Sequence, residues 1–123
     1  MAEKARKFVK SFLNAARGIS ILFKGQLNAR IELTITGLVV FTGFVFQISA
    51  SEWLIIVLCI ALVLGLEGIN TAIEILADKI HPGFDTEIGK AKDVAAGAVL
   101  IASVVASIAG FIIFAPRFLD LFR

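Results

Sequence analysis

Glu67, Asn70, Glu74 and Asp78 fall within the stretch "LEGINTAIEILAD" (Leu66 to Asp78). On a helix advancing 100° per residue, Glu67 and Glu74 lie within about 20° of each other, two turns apart. Asp78 adds one more turn on the same side, and Asn70 and Thr71 flank the line. Leu66, Ile69, Ala72, Ile73 and Leu76 cover the remaining faces. Carboxylates and an amide on one helical face suit three kinds of chemistry. They bind a divalent cation through oxygen, they relay protons, or one carboxylate serves as general base while the other holds a metal.

The element that carries this stripe decides its meaning. Glu67 follows an uncharged run that begins at Trp53, "WLIIVLCIALVLGL". A charge inside a bilayer costs at least ~3 kcal/mol on insertion scales, so an acid there points to function. For Glu74, and more so for Asp78, the competing reading is a helix that has already left the membrane and solvates its acids. The composition supports a membrane protein: 59% of the 123 residues are hydrophobic and only 18% charged, with a mean hydropathy of +0.94. A water-soluble domain of this size could not hide so much apolar surface.

Three stretches are predicted to span: about 31–48, about 53–76, and about 94–115, the last without a charge. The fold class is therefore all-α, a single integral-membrane domain over 1–123. Residues 1–30 are basic and repeat Phe8, Phe12, Ala15, Ile19, Leu22 and Phe23 at helical steps. That pattern predicts an amphipathic helix lying on the membrane surface. The turn "SASE" (Ser49 to Glu52) separates the first two spans, with Ser51 read as the start of the next helix. A polar loop over 78–93, broken at Pro82 and Gly83, separates the last two and is long enough to reach back over a site.

Ten of the twelve Lys and Arg residues lie in 1–30 and in the 78–93 loop. By the positive-inside rule both face the cytoplasm, so the N-terminus lies inside and the C-terminus outside. The net charge of +2 is too small to suggest nucleic-acid binding. Cys59 is the only cysteine, which excludes an internal disulfide and a cysteine-based metal site. Mid-helix, it reads as a small buried hydrophobe. "GFDTEIGKA" (Gly83 to Ala91) mimics a phosphate-binding loop but has five residues between its glycines, not four, and Ala91 where a hydroxyl is needed.

"EGINTAIEILADKI" and "IGKAKDVAAGAVL" together resemble the small prokaryotic diacylglycerol kinase family, which includes undecaprenol kinases. Glu67, Asn70, Thr71, Ala72, Ile73, Glu74 and Asp78 match one half of the family pattern. Ala91, Lys92, Asp93, Gly97, Ala98 and Val99 match the other. "SFLNAARGI" and "QLNARIEL" are similar to the family's surface helix and the beginning of its first span.

The resemblance implies an ATP- and Mg²⁺-dependent lipid kinase that phosphorylates the hydroxyl of diacylglycerol or undecaprenol in the bilayer. It also implies a homotrimer with active sites shared between chains. Carried over, Glu67 is the general base and Glu74 a Mg²⁺ ligand that also serves the nucleotide. Lys92 and Asp93 bind the nucleotide, with Lys7 from the surface helix, while Asn70 and Asp78 orient phosphate or complete the polar network.

One position departs from the family. Where many members carry an acid, this chain has Gln26 in "QLNAR", with Asn28 and Arg30 beside it as possible support. Gln26 is retained as a metal-ligand candidate through its amide oxygen. Glu32 is a possible substitute acid, or simply an interfacial residue. A small transporter using Glu67 and Glu74 for proton or cation exchange also explains buried acids, but not the Lys92–Asp93 pair. In the third span Ala102, Ala106 and Gly110 recur every four residues. They permit close helix approach either between copies or within one chain.

Overall fold

In the computed structural model, which describes residues 1–123, the chain forms four helices and no strand. They are α1 (Ala2–Gly25), α2 (Leu27–Val45), α3 (Ala50–Ile80) and α4 (Thr86–Asp120). The last three are long and apolar enough to cross a membrane. Only 13 of 123 residues are buried, and large apolar side chains are exposed along every helix. Such a surface is compatible with lipid or with neighbouring copies, not with water.

α3 and α4 run past the apolar stretches that predict them, whereas α2 begins earlier than the expected 31 and stops at Val45, short of the expected 48. Backbone hydrogen bonding does not stop where hydrocarbon does, so α3 continues through the acids to Ile80. Asp85 then caps α4, its Oδ1 accepting from the backbone N–H groups of Glu87 and Ile88. The expected loop over 78–93 therefore shrinks to residues 81–85, and Lys92 and Asp93 sit on helix α4 rather than on a loop able to fold over a site. A second correction concerns the start of α3. Its cap is Ser49, not Ser51, because only Ser49 stands three residues before Glu52 and closes a reciprocal capping box.

α3 and α4 form the closely packed pair, α2 leans on α3, and α1 touches the rest only near its end. Leu22 is the one buried residue of α1. Gln26 breaks α1 from α2 with an extended backbone (φ −113°, ψ 122°). At the other end of α2, the N–H of Ile48 donates to the carbonyl of Gly43 and that of Gln47 to Phe44, with Gln47 left-handed at φ 50°. This is a Schellman ending without its usual glycine. Gly43 is required for a different reason: a Cβ there would sit 2.7 Å from the Trp53 ring. Ile48, Ile56, Ile113 and Phe114 form the apolar core at this end, with Val39, Phe46, Trp53 and Ile60 packed against it.

Candidate active site

The polar stripe of α3 turns inward. Glu67, Asn70 and Thr71 are buried, although the helix around them exposes Ile69, Ile75 and Leu76. Glu67 is only 3% exposed, so it is shielded from water by protein as well as by its depth in the apolar segment. Glu74, one step further along the stripe, is half-buried, and the Asn70 side-chain amide donates to its Oε1 at 3.4 Å. Asp78 is exposed at the end of the line.

Asp78 meets α4. The Lys92 ammonium donates to Asp78 Oδ1 at 2.9 Å, bridging the two helices beyond their apolar segments. That hydrogen bond and the charge of Asp78 hold the Lys92 ammonium above its ordinary range, with Glu74 adding to the effect. Lys92 is thus a fixed, permanently charged cation near Glu74. Asp93 is exposed and engages no side chain, so the residue that holds Lys92 is Asp78.

The other sequence candidates are spread more widely. Gln26 is half-buried at the α1–α2 break, and its side chain makes no hydrogen bond. Asn28 and Arg30 are exposed. Lys7 is exposed on α1 and pairs with Glu3 of its own helix at 3.2 Å. Glu32, on α2, is half-buried, and Glu67 and Glu74 lie two turns apart on one face of α3.

Three buried polar atoms in this region have no partner: Glu32 Oε2, Asn70 Oδ1 and Thr71 Oγ1. Leaving such an atom unsatisfied costs about 1–3 kcal/mol, so native proteins keep few of them. Thr71 is a residue to which the sequence reading gave no role of its own. Elsewhere Thr34, Thr42 and Ser107 donate their hydroxyls to the carbonyl four residues back. Thr71 does not, and the available signal was its place beside the stripe on the buried side.

Within a single chain no three acids or histidines converge tightly enough to hold a metal by themselves. A half-buried carboxylate on Glu74 beside the orphaned Asn70 amide oxygen suits a different binding mode. Mg²⁺ commonly takes one or two protein oxygens and fills its other positions with phosphate and water. The donor set fits a metal that arrives with a nucleotide.

The sequence has relatives among known lipid kinases. The family model for prokaryotic diacylglycerol kinase matches residues 13–114. Undecaprenol kinase of Bacillus subtilis is 39% identical over 116 residues, which cover 90% of this chain and 90% of that protein. Diacylglycerol kinase of Synechocystis is 38% identical over 119 residues, 95% of this chain and 67% of that protein.

Proposed function

Given that the chain belongs to the prokaryotic diacylglycerol kinase family and is a membrane lipid kinase, we propose that it transfers the γ-phosphate of ATP to the hydroxyl of a polyprenol. Diacylglycerol is the second acceptor to be tested. The polyprenol is favoured because the match to the relative named undecaprenol kinase covers 90% of both chains, whereas the relative named diacylglycerol kinase is longer than this chain and is covered to 67%.

The observation that carries the reading is the gradient along α3: Glu67 buried, Glu74 half-buried, Asp78 exposed and paired to Lys92. A lipid alcohol reaches Glu67 from the bilayer, and ATP reaches Glu74 and Lys92 from the water. Glu67 accepts the hydroxyl proton as the alcohol oxygen bonds to the γ-phosphorus and the bond to the ADP oxygen breaks. Lys92 offsets the negative charge of the phosphates, and Asp78 keeps it in place. Glu74 and the Asn70 amide oxygen would hold Mg²⁺, which would supply neutralisation of phosphate charge there; Gln26 is the remaining candidate ligand. Asp93 and Lys7 extend the nucleotide site.

The same reading places the chain in the bacterial cytoplasmic membrane with α1 and the Glu74 end inside, and in a homotrimer whose neighbouring chains complete the site. The sparse burial of the single chain and its incomplete metal donor set support that assembly. The test is a phosphate-transfer assay from labelled ATP to undecaprenol and to diacylglycerol, side by side in the same mixed micelles. Transfer to undecaprenol at the higher kcat/KM is expected. Transfer to neither overturns the proposal, and preference for diacylglycerol reassigns the acceptor.

A further inference from the structure

A carboxylate that acts as a base has to be held, because a long flexible side chain spends little time in any one reactive geometry. The polar groups nearest to Glu67 along α3 are engaged elsewhere. The Asn70 amide donates to Glu74, the Lys92 ammonium donates to Asp78, and no side-chain hydrogen bond in the chain ends on Glu67. Glu67 is buried, so bulk water does not take the part of a holder.

One donor close by is uncommitted. Thr71 is buried, and its Oγ1 meets no partner. Thr34 and Thr42 donate to the carbonyl four residues back. For Thr71 that carbonyl belongs to Glu67 itself, and the hydroxyl does not take it. An open hydroxyl away from water is costly, so its retention asks for a use.

The helix supplies one. Thr71 lies one turn past Glu67 and about 40° around α3. Each Cα–Cβ bond tilts toward the helix N-terminus, so the Thr71 side chain stands over the turn that carries Glu67. A long side chain four residues before a short polar one is the arrangement in which Gln–Asn and Gln–Asp pairs hydrogen-bond on helices. Glu67 and Thr71 repeat it, with a carboxylate as acceptor and a hydroxyl as donor.

We infer that Thr71 is a positioning residue for the base: its hydroxyl donates to the Glu67 carboxylate when that side chain turns to the reacting alcohol, and holds it there. The inference rests on the reading of Glu67 as general base. One carboxylate oxygen accepts from Thr71, and the other is left to accept the proton of the alcohol. Away from bulk water a hydrogen bond to a charged group of this kind is strong.

Thr71→Val keeps the shape of the side chain and removes the donor. Its kcat for lipid phosphorylation should fall about 10- to 100-fold, with the KM for ATP and the KM for the alcohol each within about twofold of wild type. Thr71→Ser, which keeps the hydroxyl, should recover most of the rate. In a Glu67→Gln background no base remains to be held, and Thr71→Val should lower the residual rate by less than about twofold. A residue that merely packs would lower it by the same factor in both backgrounds. Thr71→Ala, which also lacks the hydroxyl, replaces the valine variant if that one does not fold.

Undiminished kcat in Thr71→Val, beside a strongly impaired Glu67→Gln, overturns the inference and spares the base. A higher KM for ATP at unchanged kcat overturns it as well and gives the hydroxyl to the nucleotide. Full activity in Glu67→Gln removes the base itself, and the inference with it.

Discussion

The two ends of the α3–α4 hairpin are each tied by one carboxylate–cation pair, yet they are built to different rules. At one end Arg117 grips Glu52 with both guanidinium nitrogens, at 3.0 and 2.8 Å, and also donates to the carbonyl of Ile113. Glu52 closes the helix cap with Ser49 as well, so each of its oxygens is used. Around this pair sit Trp53, Phe46, Phe114 and Phe118, with Phe44 and Trp53 rings 4.9 Å apart and Phe46 and Phe118 rings 4.8 Å apart. At the other end Asp78 holds Lys92 by one bond, the buried apolar residues that α2, α3 and α4 contribute are alanines (Ala29, Ala77 and Ala95), and buried oxygens lack partners. Polar groups at the first end are satisfied and hold the hairpin. Polar groups at the second are left open, as a site awaiting ligands must be.

Substitutions should separate these roles. The largest effect is expected from Glu67→Gln, which removes the proposed base while keeping its shape. The kcat should fall by about 10²–10⁴-fold with the thermal midpoint in detergent preserved; full activity would remove Glu67 from its role. Lys92→Met should reduce kcat on the order of 100-fold, and Asp78→Asn should act in the same direction more weakly, through a higher KM for ATP. An Asp78→Asn enzyme with unchanged ATP kinetics would show that the pair merely ties the helices.

At the opposite end the sign of the comparison reverses. Gly43→Ala forces a methyl against the Trp53 ring and should destabilise the fold by about 1–3 kcal/mol, while each folded molecule keeps its activity. Gln26→Glu adds a charge at the working end and should lower the Mg²⁺ concentration for half-maximal rate by roughly threefold or more. An unchanged Mg²⁺ titration would place Gln26 away from the metal.

Arg117→Gln is expected to leave kcat unchanged and to lower the thermal midpoint at pH 7. Its pH dependence follows from Glu52, which lies outside the apolar spans. The hydrogen bond from Arg117, reinforced by the Ser49 backbone, holds the Glu52 carboxyl below its ordinary value of 4.5. A depressed carboxyl pKa contributes stability above the ordinary value and loses it as pH falls through the lower one. The gap between wild type and Arg117→Gln should therefore be full at pH 7 and close only in acid below 4.5. A gap that persists at pH 2 would mean that packing of the arginine stem, not the ion pair, ties this end.

The sequence made the working end legible because its acids recur at helical spacing in an apolar context that gives them no ordinary reason to be there. Glu67, Glu74 and Asp78 could be picked out this way, whereas Lys92 came only from the family resemblance. The holding end was nearly silent. Glu52 and Arg117 stand 65 residues apart, and nothing local joins them until α3 and α4 lie antiparallel. The cap was misplaced for a related reason: two serines precede Glu52, and only reciprocal hydrogen bonding tells Ser49 from Ser51.

The two ties also make the hairpin a gauge. Glu52 and Asp78 are separated by twenty-six residues of α3, and Lys92 and Arg117 by twenty-five of α4. Those lengths come to about 39 and about 38 Å, a matched pair of rulers against a hydrocarbon layer of about 30 Å. Glu67 lies about 22 Å along α3 from the Glu52 clamp, a distance fixed by helical rise and not by the lipid. With that clamp held at one membrane face, a bilayer a few ångströms thinner brings the opposite headgroup layer down toward Glu67, and a thicker one lifts it away. The depth at which a lipid hydroxyl rides then matches the carboxylate best at one membrane thickness.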